Sequence, residues 1–271
     1  MNKLSIIIES HLRLLSLKTL VIFSSIFILL ELFNFSTIYA EYIPLKIGSY
    51  WTYTVDNRVG TFETKDSATL IIVGERDVDG KRCSVLEARV GDIVLTRKNI
   101  LRTYLYDNRN GLITVNGFES EGGGVIIDRE EYKNGYMQYK YPFNIGMSWT
   151  ISSAKGLDPS NVILLNTKMN DVDDDDIDDS VDMTAKVKVV SIEDINVPAG
   201  FFTDCYKIVY TYSIKVHCSL RGDLDLVVSD TIWFKPYTGV IMEEKVSGWP
   251  SLFDSMEQRT VYKLSEYSIS G

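Results

Sequence analysis

Histidine is nearly absent from this chain, with two in 271 residues, and cysteine and proline are scarce, with three and six. One of the histidines, His11, lies in an N-terminal stretch unlike the rest. That leaves His217 as the only histidine for a histidine-based catalytic or metal site. No C-x-x-C pair or Cys/His cluster suggests zinc or thiol redox chemistry. Basic residues are outnumbered, 28 against 37, for a net charge of −9 and an isoelectric point near 4.9. That balance argues against a nucleic-acid backbone or an anionic membrane surface as the main partner. The sequence contains no G-x-S-x-G, Walker A, H-E-x-x-H or dinucleotide-binding glycine motif. What it has instead is 45% hydrophobic and 11% aromatic residues, enough apolar material for a sizeable core.

Residues 1–40 read as a secretory signal peptide. Lys3, Arg13 and Lys18 form a basic start, and Leu20 to Leu30 is an uncharged apolar run of eleven residues ended by Glu31. A bilayer crossing needs about 20 apolar residues, so the run suits the core of a cleavable signal. Ala40 is a small residue suited to the cut, although Ile38 is a poorer fit two positions earlier; an uncleaved anchor is the alternative. Residues 41–271 then form a single expected domain of 231 residues and net charge −10, soluble and extracytoplasmic, either periplasmic or secreted.

This domain reads as β almost throughout. From Cys205 to Cys218, Tyr206, Ile208, Tyr210, Tyr212, Ile214 and Val216 share one face, and Lys207, Thr211, Ser213, Lys215 and His217 fall mainly on the other. Alternation with period two is what a strand with one buried and one wet face requires. Further strands are expected at 50–55, 67–74, 82–90, 93–98, 101–106, 112–115, 125–128, 148–152, 162–168, 184–192, 224–234, 240–246 and 260–267. Turn pairs lie between them at Asp79-Gly80, Asn110-Gly111, Asn116-Gly117, Asn134-Gly135 and Arg221-Gly222. The expected fold is all-β: a large curved antiparallel sheet forming an incomplete barrel, with few short helices, the candidates being near 158–161 and 250–256. Cys205 and Cys218 sit too far apart on one strand to bridge. A Cys83–Cys205 disulfide and three free thiols both remain open.

Two segments echo each other 98 residues apart. Pro44-Leu-Lys-Ile-Gly-Ser-Tyr-Trp-Thr-Tyr53 and Pro142-Phe-Asn-Ile-Gly-Met-Ser-Trp-Thr-Ile151 share Pro, Ile, Gly, Trp and Thr at the same offsets. They suggest two similar entries into a sheet or a diverged duplication. The first of these, with Val197-Pro-Ala-Gly-Phe-Phe-Thr-Asp-Cys-Tyr-Lys-Ile208 and Thr231-Ile-Trp-Phe-Lys-Pro-Tyr-Thr-Gly-Val-Ile-Met-Glu-Glu244, resembles motifs of secreted bacterial proteins of unknown function. That group in turn resembles the lipoprotein-localisation factors (LolA/LolB-like). The resemblance implies a curved sheet whose concave apolar face holds acyl chains, and it carries over no catalytic residue.

The most chemical feature is an acidic run within an expected loop near 154–183. Asp171, Asp173, Asp175, Asp179 and Asp182 occupy positions 1, 3, 5, 9 and 12 of a calcium-loop spacing. Asp176 stands where such loops carry Gly, and position 12 is Asp instead of Glu, so calcium binding and a plain solvated acidic loop are both open. The leading expectation is a non-enzymatic extracytoplasmic protein that binds a lipid-like or other hydrophobic ligand, or an envelope partner, on a concave face. Tyr206, Ile208, Tyr210, Tyr212, Ile214 and Trp233 are its candidate lining. The rival is a cell-surface structural or adhesion module whose acidic loop binds calcium. A weaker third reading is a hydrolase with an unrecognised carboxylate pair.

Overall fold

The computed structural model describes residues 42–90, 101–108, 110–120, 136–158, 175–248 and 257–270. Glu41–Gly271 form one compact unit. Twelve antiparallel strands make a single sheet that curls into a nearly closed barrel. They are β1 (Tyr50–Val59), β2 (Phe62–Val78), β3 (Lys81–Val90), β4 (Leu101–Asp107), β5 (Gly111–Ser120), β6 (Tyr136–Lys140), β7 (Ser148–Leu157), β8 (Ser180–Val197), β9 (Gly200–Cys218), β10 (Gly222–Lys235), β11 (Gly239–Gly248) and β12 (Glu257–Ser268). There is no helix among the described residues, so the expected short helices are not seen there; apart from Asp158, the segments that suggested them lie outside those residues.

The strand order is β6-β5-β4-β3-β2-β1-β12-β11-β10-β9-β8-β7. It consists of two six-stranded meanders joined through the first and last strands, with Tyr50 opposite Ser268 and Val59 opposite Gln258. The edges are therefore β6 and β7, and the chain crosses directly from one to the other. Side chains serve β6 where a neighbouring strand would: Trp149 Nε1 donates to Met137 O at 3.0 Å, and Tyr210 Oη donates to Gln138 O at 3.1 Å. An exposed edge carbonyl row invites pairing with another chain, and these donors occupy part of it.

The internal echo is a real structural repeat. Lys46 to Ser49 form a turn closed by Ser49 N on Lys46 O (3.0 Å), and Asn144 to Met147 form another closed by Met147 N on Asn144 O (3.0 Å). Gly48 and Gly146 hold the third position at φ 90° and 88°. That is the type II geometry, which needs a positive φ there. Gly48 N then donates to Ile72 O on β2 and Gly146 N to Val189 O on β8, both at 2.8 Å, and each turn accepts the return bond from that same residue. Each meander begins with this latch onto its own second strand.

Expectation and structure differ at two places. Asn116-Gly117 is no turn: β5 runs through it, with Phe118 opposite Thr103 but Val115 opposite Tyr104, so the pair forms a bulge. Strand β6 is not among the expected strands, because five residues running into Tyr141-Pro142 carry little alternation. The strands expected at 93–98, 125–128 and 162–168 lie outside the described residues, as does the signal peptide. The three cysteines are free and buried. Cys83 packs with Val85, Tyr104 and Val115, whereas Cys205 packs with Val197 and Trp233 in a different cluster.

Gly146→Ala meets no steric obstacle, since nothing lies within 4 Å of the added Cβ. Its whole cost is the positive φ, about 1–2 kcal/mol. Urea denaturation should show a loss of that size, with little change in the slope against denaturant.

Candidate functional site

The barrel encloses a cavity of about 410 Å³. Its wall comes from β1 to β6 on one side and β10 to β12 on the other. One end is closed by aromatic packing. Tyr42 stacks on Tyr141 with ring centres 4.7 Å apart and meets Phe143 edge-on at 5.5 Å, while its carbonyl accepts Tyr237 N at 2.9 Å. Phe143 in turn meets Phe234 edge-on at 5.3 Å. Trp51 Nε1 donates to Thr238 O in the β10–β11 turn. Tyr53 Oη donates 3.0 Å to Val240 O beside the bulge in β11. Ile43 and Leu45, just before the first latch, face into the cavity from this end.

Polarity changes along the wall in one direction. Starting from the closed end, β4 supplies Leu105 and then Thr103, β5 Leu112 and then Thr114, and β6 Tyr139 and then Gln138. Across the cavity, β10 supplies Phe234 and then Ile232, and β11 Val240, then Glu243, then Lys245. Thr114 Oγ1 donates to Gln138 Oε1 at 2.8 Å. Arg89 borders the cavity and donates to the buried Glu87 carboxylate at 2.6 Å.

A polar group lies on β10, β11 and β12. The register sets Asp230 opposite Lys245 and Glu243 opposite both Ile232 and Tyr262. Lys245 Nζ is 3.1 Å from Glu243 Oε1 and 5.2 Å from the centre of the Tyr262 ring. Asp230 Oδ1 is buried and has no hydrogen-bond partner among the described residues. Burial, followed by the neighbouring Glu243 charge, pushes the Asp230 carboxyl up to about 8. Burial works against the charge on Lys245, but Glu243 and Asp230 outweigh it and raise that ammonium's pKa. Tyr262 is raised as well, mainly by burial.

The residues singled out from sequence fall elsewhere. Tyr206, Ile208, Tyr210, Tyr212 and Ile214 share one face of β9, as the alternation requires, but none of them lines the cavity. Ile208 and Tyr210 are core, packed with Phe234 and Tyr139, and Tyr206 and Tyr212 pack at the edge of that cluster. Ile214 belongs to a separate cluster with Val181, Met183 and Leu226. Trp233 alternates with the cavity residue Phe234 and packs with Cys205 and Val197. Its Nε1 donates 2.7 Å to Glu193 Oε2, and Lys207 Nζ lies 5.2 Å over the ring. The Trp233 and Ser191 donors and the Lys207 ammonium hold Glu193 below the usual carboxylate range. The residues that sequence reading missed are Glu243 and Lys245. They alternate with Glu244 and Val246, and that pattern does not say which side meets water.

The acidic run divides. Asp171 and Asp173 lie outside the described residues. Asp175 accepts from Ile177 N at 3.0 Å and from the Ser219 hydroxyl. Asp179 accepts from Ser219 N at 3.3 Å, and Asp182 accepts from Gly156 N at 3.0 Å. Gly156 N is the main reason the Asp182 carboxyl is lowered. His217 bridges Asp223 at 2.8 Å and Asp182 at 3.5 Å, and its pKa is raised chiefly by Asp223. Among the described residues, no group of three or more His, Cys, Asp or Glu side chains is placed to hold a metal ion.

No protein-family model matches this chain, and no curated protein does. Two solved structures are similar. A Bacteroides fragilis protein assigned as exported, with a YmcC-like fold, is 15% identical at a TM-score of 0.40, the match covering 84% of this chain and 99% of that one. A Parabacteroides distasonis protein assigned as a lipoprotein is 13% identical at a TM-score of 0.41, with the same coverages.

Asp230 sets a stability trend. The unfolded chain releases this proton near 3.8, whereas the folded chain holds it to about 8. Between those values the unfolded state binds fewer protons, so stability falls as pH rises. His217 contributes in the same direction as pH passes through its raised folded value. The melting temperature should therefore drop from about pH 5 to about pH 8, and Asp230→Asn should flatten most of that drop and raise the melting temperature at the upper end.

Proposed function

We propose that this protein is an extracytoplasmic binding protein that holds a hydrophobic or amphiphilic small molecule inside its barrel and carries out no chemistry on it. One observation carries the reading: the cavity is apolar at its closed end and gains polar side chains toward the other, along β4, β5, β6 and β11 alike. A volume of about 410 Å³ falls in the range of small-molecule sites, about 300–1,000 Å³, which are mostly apolar with a few placed polar groups. A lumen serving only as core would be filled by side chains. The gradient also orients the occupant, with an apolar chain toward Leu112, Ile72 and Trp51 and a polar end toward Glu243 and Lys245. The extracytoplasmic placement rests on the basic start, short apolar run and Ala40 of the N-terminal segment.

The neutral apolar dye N-phenyl-1-naphthylamine tests this directly. The purified protein should bind it saturably with one class of site. Ala88 lines the cavity wall. Ala88→Trp should therefore weaken the dye at least tenfold while keeping a cooperative melt. A folded wild-type protein with no saturable dye binding would refute the lumen reading.

A further inference from the structure

We infer that Asp230, Glu243, Lys245 and Tyr262 form a head-group site for a neutral, hydrogen-bonding head, such as a glycerol ester or an amide, carried on a single apolar chain. The inference rests on the lumen reading above and adds the chemistry of the head.

The argument begins with position. Glu243 and Lys245 line the cavity at the polar end of β11, Tyr262 lines it from β12, and Asp230 lies one alternation beyond Ile232 on β10. A chain seated against Leu112, Phe234 and Val240 brings its head to this group. Charge comes next. The Lys245 ammonium is already matched by Glu243 at 3.1 Å. Tyr210 from β9, Glu243 and Lys245 from β11, and Tyr262 from β12 are the titratable groups that face Asp230. In that setting Asp230 keeps its proton at neutral pH, so the group carries no net charge. A carboxylate or phosphate head in this group would lie against Glu243, with the group's cation, Lys245, already matched; the other cation on the wall, Arg89, is held by Glu87 at 2.6 Å. An ammonium head would lie against Lys245. Glu243 and Lys245 are part-exposed, so either head would keep some of its water there, but neither would find a free counter-charge in the group. A hydroxyl or amide head meets neither penalty.

Hydrogen bonding supplies the positive half. Asp230 Oδ1 is a buried acceptor without a partner among the described residues. Leaving such an atom unpaired costs about 1–3 kcal/mol, and a hydroxyl or amide donor on the ligand removes that cost. Lys245 has three N–H donors, and its contact with Glu243 Oε1 at 3.1 Å uses one of them, so it can also donate to an ester or amide carbonyl.

The test is a series with one chain and three heads, each displacing N-phenyl-1-naphthylamine at neutral pH: 1-monolauroylglycerol, laurate and dodecylammonium. The neutral ester should compete at least tenfold better than either charged ligand. Glu243→Gln frees Lys245 and should improve laurate at least tenfold, a gain that misfolding cannot mimic. If only the protonated Asp230 form binds the ester, its affinity should fall about tenfold between about pH 7 and pH 9. Asp230→Asn should remove that dependence. A charged head that equals or beats the ester, or a Glu243→Gln variant that leaves laurate unchanged, would overturn the inference. So would release of laurate from the ester, which would make the carboxyl pair catalytic. A dye that binds while the head series is flat defeats only the head-group site; a dye that does not bind defeats the lumen reading beneath it.

Discussion

Everything in this barrel depends on the antiparallel pairing of the first strand with the last. Backbone N–H and C=O groups are obligatory hydrogen-bonding groups, and a sheet satisfies them only where strands have neighbours. Placing β1 against β12 puts both ends of the domain in the middle of the sheet and turns β6 and β7 into its edges. Those edges are consecutive in the chain, so the connection between them has to span the seam. It does so with Tyr141, Phe143 and the second latch, and Trp149 and Tyr210 occupy β6 carbonyls that have no strand beside them. The seam is thus closed by aromatic side chains instead of a backbone ladder. The same residues close one end of the lumen.

The two latches explain how such a long meander keeps its register. A one-residue slip would carry every inward side chain to the outer face. Each six-stranded half is pinned at its start by a type II turn that bonds to its own second strand, with Gly48 and Gly146 in equivalent roles. The bulges between Val189 and Ser191, and between Glu193 and Ile195, then let β8 and β9 bend beyond the length of an ordinary strand. The hairpin they form returns to the sheet, where Ala199 N donates to Leu264 O at 2.9 Å. That fold-back buries Trp233, Cys205 and Val197 in the cluster that backs the lumen-wall residues Trp51, Tyr53 and Ile72.

The lumen shows a conflict that a purely structural core would not keep. Apolar burial favours filling the space, yet Glu243, Lys245 and Asp230 are set into one end of it. Their mutual pairing makes the arrangement tolerable, at the cost of a carboxyl held far from its ordinary protonation. Asp230 Oδ1 is buried while Glu243 and Lys245 keep part of their surface in water, and a buried polar atom weakens a core relative to apolar packing. The place of Glu243 and Lys245 on the wall of the cavity is the feature on which the proposed binding role rests.

Much of this could be read from residues alone. The all-β class, most strands, the turns at Asp79-Gly80 and Arg221-Gly222, and the paired entry motifs all rest on local chemistry: period-two alternation, positive-φ glycines, and aromatics that lead a strand. The site could not be read that way. Alternation shows that Tyr206 to Ile214 share a face, but not whether that face meets other side chains or a cavity. It cannot separate a Trp233 buried under a folded-back hairpin from one that lines a lumen. Glu243 and Lys245 look like surface charges, because only the closing of β1 on β12 turns their side of β11 inward. Local sequence determined which residues alternate and where the chain can turn. Tertiary structure decided which face is inside, because that depends on pairings between strands some two hundred residues apart, such as Val55 with Tyr262.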